Sequence, residues 1–141
     1  MFNKFFPLII LVLFLSTLGC ATVQNPKVET DAVDSAKAWL NLIDERKYVD
    51  SWKESSEVLR KAVTPQDWQR NMAAARKQLG AVVSREVKSH NYRKHIRGAP
   101  KGQYVIIQFI TDFYNKKSSI ETVTPMLETD GKWRVAGYFI N

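Results

Sequence analysis

The hydrophobic periodicity of this chain changes at Gly80, and that change constrains the fold more than any other feature. Before Gly80, apolar residues recur at helical spacing; after it, they crowd into runs divided by turn residues. Asp31 is suited to cap a first helix, in which Ala32, Ala36, Trp39, Leu40 and Ile43 share a face. A second helix is expected from Tyr48, with Trp52, Ser55, Leu59 and Ala62 on the same side. The third opens at Thr64-Pro65-Gln66-Asp67, with Thr64 as cap, Pro65 in the first turn and Asp67 as a short capping-box partner. Trp68, Met72, Ala75 and Leu79 form its apolar stripe, and Gly80 suits a C-terminal stop.

The second half reads as four strands, at 81–92, 104–114, 119–128 and 132–140. Residues 98–102 hold two glycines and a proline and read as a loop, Asn115 to Ser118 as a turn, and Asp130-Gly131 as a hairpin. Helices followed by antiparallel strands make an α+β domain, with three N-terminal helices packed on a curved four-stranded antiparallel sheet. This order is similar to the cystatin-like roll of the nuclear-transport-factor-two superfamily. The segment from Glu121 to Glu128, with Asp130-Gly131-Lys132-Trp133-Arg134-Val135-Ala136-Gly137-Tyr138-Phe139-Ile140, resembles a bacterial family known as domain of unknown function 4019. Ala38-Trp39-Leu40, Ser51-Trp52, Gln78-Leu79-Gly80 and Ser84-Arg85 fit the same pattern. The resemblance spans about residues 32–140. It implies a small exported protein and no particular activity, because the superfamily holds both enzymes and binding modules.

The N-terminus adds a location. A charge-free stretch of 14 residues, Phe5 to Leu18, follows Lys4 and ends in Gly19-Cys20, the only cysteine. It falls short of the roughly 20 residues that cross a bilayer, and it contains Pro7. It resembles a bacterial lipoprotein signal peptide, although Thr17 stands where Leu is usual. The resemblance implies cleavage after residue 19 and acylation of Cys20, which would also remove the odd thiol of an exported protein. The expected organisation is a signal peptide at 1–19, a lipidated tether at 20–31 with Asn25-Pro26 as breaker, and a single domain at 32–141. Ala21, where Asp would retain a lipoprotein in the inner membrane of enteric-type bacteria, points to the outer membrane if the cell is Gram-negative. The formal charge of +7 loses one cation with Lys4. On the periplasmic side of an envelope, such a surface meets lipid headgroups and anionic polymers rather than nucleic acid.

Register from tight turns places Leu127 opposite Arg134, Val123 opposite Tyr138, Ile107 opposite Met126 and Asp112 opposite Glu121. One face then carries Val105, Ile107, Phe109, Phe113, Ile120, Met126, Trp133, Val135 and Phe139; the other carries Tyr104, Ile106, Ile110, Val123, Leu127, Tyr138 and Ile140. Helices cover one face, so Ile106, Ile110, Val123, Leu127 and Tyr138 are expected to form a homodimer surface.

Four groupings bear on chemistry. Asp112 and Glu121, directly opposed, would repel and raise one carboxyl pKa, as an acid–base pair or cation site requires; a register slip or nearby lysines would dissolve the pair. Trp39, Tyr48, Trp52 and Trp68 suit a pocket between helices and sheet, or equally a core. Lys88, Arg93, Lys94 and Arg97 form a basic patch around His90 and His95, suited to anions or simply solvated. Two histidines without further ligands at metal spacing do not make a metal site, and no cofactor motif is present. Two readings stay open: an envelope lipoprotein whose domain binds a partner or assembles with itself, and a small-molecule binding or acid–base enzyme.

Overall fold

A computed structural model describes residues 25–141. The apolar run, Cys20 and the stretch up to residue 24 lie outside the described residues. The elements are α1 (Pro26–Asp44), α2 (Tyr48–Lys53), α3 (Glu57–Ala62), α4 (Pro65–Leu79), β1 (Val82–Arg93), β2 (Gln103–Phe113), β3 (Ser119–Leu127) and β4 (Trp133–Ile140). The strands form one antiparallel sheet in the order β1-β2-β3-β4. The domain is therefore α+β, with four helices rather than three. α1 touches all four strands.

The stripe Ala32, Ala36, Trp39, Leu40 and Ile43 is buried, as helical periodicity requires. α1 nevertheless begins five residues before Asp31. Pro26 does not break the chain; it sits in the first turn, where its missing N–H has no intrahelical partner to lose. Asp31 lies inside the helix and pairs with Lys27 at 2.7 Å.

The expected second helix is divided at Glu54-Ser55-Ser56. Ser56 caps α3 by accepting from Leu59 N, and its own N–H donates to Val135 O at 2.9 Å. Serine competes with the helical backbone for hydrogen bonds, so an adjacent pair favours a new N-terminus over continuation. Thr64 caps α4 through Asp67 N at 3.2 Å, as its sequence predicts. At Gly80 the chain turns with φ +79°, and a Cβ there would lie 3.1 Å from Tyr114 Cβ. Both facts require glycine.

Three loop details reset the register. Glu128 N donates to Lys132 O and Gly131 takes φ +79°, so the last hairpin has three loop residues, Thr129 to Gly131, instead of two. Leu127 therefore faces Trp133, and Met126 faces Arg134. A bulge between Thr124 and Pro125 removes the offset, and Val123 faces Tyr138 as expected. Pro125 cannot donate to a ladder, and a bulge is where a strand tolerates that. Between β2 and β3, Tyr114 N and Asn115 N bond back to Ala81 O and Leu79 O. This draws the end of β2 away from β3 and leaves a longer loop. Ile107 faces Val123 instead of Met126, and Phe109 faces Glu121.

The face toward the helices carries Val105, Ile107, Phe109, Val123 and Val135, all at most 1% exposed. The opposite face exposes Ile110 and, at 69%, Phe139.

Candidate functional site

The inner face of the sheet is apolar except at one place. Glu121 on β3 is fully buried there. Its Oε1 accepts from Arg85 Nε at 2.7 Å and from Thr111 Oγ1 at 2.6 Å, and its Oε2 accepts from the Tyr138 hydroxyl. Strand pairing builds this cluster: Arg85 faces Thr111 across β1 and β2, and Glu121 lies on the next strand. Arg85 extends past Glu121 to the end of α1, where Nη1 and Nη2 donate to Asp44 at 2.6 and 3.0 Å. Arg76 of α4 also donates to Asp44. Its guanidinium lies 5.0 Å from the centre of the Phe113 ring, and its buried Nη1 has no hydrogen-bond partner among the described residues. Two carboxylates and two guanidinium groups thus tie α1, α4, β1 and β3 together.

Electrostatics follow from this geometry. Burial foremost, then the charge and hydrogen bond of Glu121, hold the Tyr138 phenol well above its ordinary range. It stays a neutral donor. Burial alone would lower the Arg85 pKa, but hydrogen bonds and attraction from Asp44 and Glu121 outweigh it and raise the value further. The carboxylate of Glu121 has one guanidinium and two hydroxyls as donors, and all are protein groups. Such an arrangement orients and clamps; it does not present a free base to a ligand.

Asp112 and Glu121 are not a pair. Asp112 Oδ1 accepts from Ser118 N at 2.8 Å and caps the β2–β3 loop, while Glu121 stands opposite Phe109. The changed loop length moves them apart in register, which removes the geometry for shared-proton chemistry.

The four aromatics expected to line one pocket do not share a cavity: Trp39 borders a recess of about 290 Å³ with Trp133 and Val135, and Tyr48 one of about 400 Å³ with Asp44 and Arg76. Trp39, Tyr48 and Trp68 are at most 7% exposed. Trp39 Nε1 donates to Ser51 O at 2.8 Å and Ser55 Oγ at 3.0 Å, and Trp68 Nε1 donates to Ser51 Oγ at 3.0 Å. Tyr138 meets Trp39 edge-on, with centroids 5.3 Å apart. Trp52, partly buried, donates to Val63 O at 2.8 Å. Trp39, Tyr48 and Trp68 belong to the buried core, and Trp52 packs against it.

The expected dimer surface is divided between both faces. Ile106 and Ile110 look outward, but Val123 is fully buried and Tyr138 reaches Glu121. Leu127 is half-buried and lines a groove of about 960 Å³ with Val58, Lys101, Met126 and Arg134. The basic residues Lys88, Arg93, Lys94 and Arg97 are exposed on β1 and the loop that follows. His90 Nδ1 lies 2.6 Å from Glu29 Oε2, and His95 is exposed in that loop. Among the described residues, no group of three or more His, Cys, Asp or Glu side chains is placed to hold a metal ion.

Sequence reasoning missed Arg85, Asp44, Arg76 and Thr111. The available signal was a charged residue inside each of two strand patterns, Arg85 and Glu121, because a strand that buries one charge needs the opposite charge on the same face.

The fold and this buried ionic cluster define a small α+β domain whose apolar core encloses one internally bonded group of charges. Residues 35–138 match the model of a family described as a protein of unknown function, DUF4019, and the chain belongs to that family. Comparison with curated proteins and with solved structures finds no match.

Proposed function

We propose that the protein is a lipid-anchored lipoprotein of the bacterial envelope whose domain binds a partner and does not catalyse a reaction. The observation that carries the binding reading is the state of the interior. Trp39, Trp68, Tyr138 and Glu121 each bond to protein groups, so none of these buried polar groups is left free to act on a substrate. The cystatin-like assignment belongs to this reading, supported by helices packed on one face of a sheet in simple sequential order. The anchor rests on the charge-free run that ends at Gly19-Cys20. Acylation there holds the domain on the periplasmic side of a membrane, with the outer membrane favoured by Ala21 in a Gram-negative cell. More than one acyl chain makes such attachment stable.

The test is metabolic labelling with palmitate and membrane fractionation of wild type and Cys20→Ser. The wild type is expected to carry label and to sediment with membranes, and Cys20→Ser to lose both label and processing. A wild type whose mature N-terminus carries no lipid mass would overturn the anchor.

A further inference from the structure

We propose that the exposed basic stretch from Lys88 to Lys101 is a docking surface for anionic phospholipid headgroups, laying the domain against the membrane that holds its anchor. The inference rests on the lipid-anchored reading. From Val87 to Thr111, 25 residues contain five lysines and arginines, two histidines and no carboxylate. Lys88, Arg93, Lys94 and Arg97 are all exposed, as is Lys101, which borders the groove that Glu54, Glu57, Glu128 and Asp130 also line. Among the described residues none of them is in an ion pair, whereas Arg76, Arg85 and Arg134 are each paired with acids. The cations are presented on a fixed frame. The ring of Tyr104 is buried, and its hydroxyl donates to Pro100 O at 2.6 Å, which pins the loop.

The position of the anchor selects the occupant. Glu29 in the first turn of α1 bonds His90 at 2.6 Å, so the chain enters the domain beside the basic strand. Five residues lead from Cys20 to Asn25. They reach at most ~18 Å. Any lipid on Cys20 therefore keeps the headgroup layer within reach of this surface, at high effective concentration. Anionic headgroups attract juxtamembrane cations individually, within about a Debye length. A polysaccharide has the same charge but no such constraint to this side of the domain.

The test uses the full chain carrying Cys20→Ser and vesicles of phosphatidylcholine, with or without phosphatidylglycerol, with bound protein read by sedimentation. Neutral vesicles report the contribution of the apolar run. Anionic vesicles are expected to bind more protein, with the excess falling as salt rises. Arg93→Gln with Lys94→Gln and Arg97→Gln should lower that excess by about fivefold per cation removed. Lys37→Gln with Lys77→Gln and Lys117→Gln removes equal charge from other exposed positions and should leave the excess in place. Circular dichroism checks that both variants are folded. Equal losses in the two variants would overturn the proposal in favour of net charge alone. So would the absence of an anionic preference, or selective binding to an anionic envelope polysaccharide instead. Vesicle preference without palmitate label on the wild type would remove the anchor reading alone; label without preference would remove the docking surface alone.

Discussion

At the scale of single residues, Glu121 decides what the inner face of the sheet can be. A fully buried carboxylate is tolerated only with donors at hydrogen-bond distance, and Arg85, Thr111 and Tyr138 supply them. Removing Glu121 orphans the Arg85 Nε–H and the Thr111 and Tyr138 hydroxyls together, while Arg85 keeps its pair with Asp44; the combined cost is about 3–5 kcal/mol. Glu121→Ala is therefore expected to lower the unfolding free energy by about that amount in urea titrations. Glu121→Met combined with Arg85→Met should recover most of the loss, because both charges leave together while Asp44 keeps Arg76. A single variant less than about 1 kcal/mol below wild type would mean that water reaches Arg85 in its place. The sequence shows that Glu121 is charged and lies in a strand. It does not show that its partners come from β1, β2 and β4, because those partners depend on register. The aromatic residues were more legible. Trp39, Tyr48 and Trp68 lie on the buried faces that their spacing predicts, since helical periodicity is a local property.

At the scale of elements, turns govern most departures from expectation. One added residue in the last hairpin and one bulge at Pro125 cancel, so Val123 meets Tyr138 while the intervening pairs shift. Nothing local to Asp130-Gly131 distinguishes a two-residue from a three-residue loop, because glycine at positive φ suits both. The β2–β3 turn was less legible still, since its length depends on distant backbone bonds to Leu79 and Ala81. The hairpin contains a testable ion pair. Arg134 donates to Asp130 at 2.8 Å. That hydrogen bond, with the Lys132 N–H and the nearby positive charge, holds the Asp130 carboxyl at about 2, below its reference value of 3.8. A depressed acid contributes stability above its unfolded pKa and loses it as pH falls through the folded value. Asp130→Asn is therefore expected to flatten the stability profile between about pH 4 and 2, with little change near neutrality beyond the loss of a surface pair. Thermal unfolding across that acid range checks it; an unchanged slope would remove Asp130 as a contributor.

At the scale of the whole molecule, the helices divide the sheet into an inside and an outside that sequence alternation had assigned differently for Val123 and Tyr138, which lie inside, and for Ile120 and Phe139, which lie outside. Val123→Lys places an unpaired ammonium among Ile107, Tyr138 and the helical layer. It should lower stability by at least about 3 kcal/mol. Phe139→Lys, on a side chain already 69% exposed, should change it by no more than about 0.5 kcal/mol. Matched denaturant curves test this division, and similar losses in both variants would refute it. α1 has a further consequence. It is held to β1 by Glu29–His90 near its start and by Asp44–Arg85 at its end, with Ala32, Ala36, Leu40 and Ile43 buried between. With the proposed anchor, each displacement of the membrane would pull on this helix. Both clamps meet β1 between Arg85 and His90, so such a load would pass into an edge strand of the sheet and into the core beneath α1.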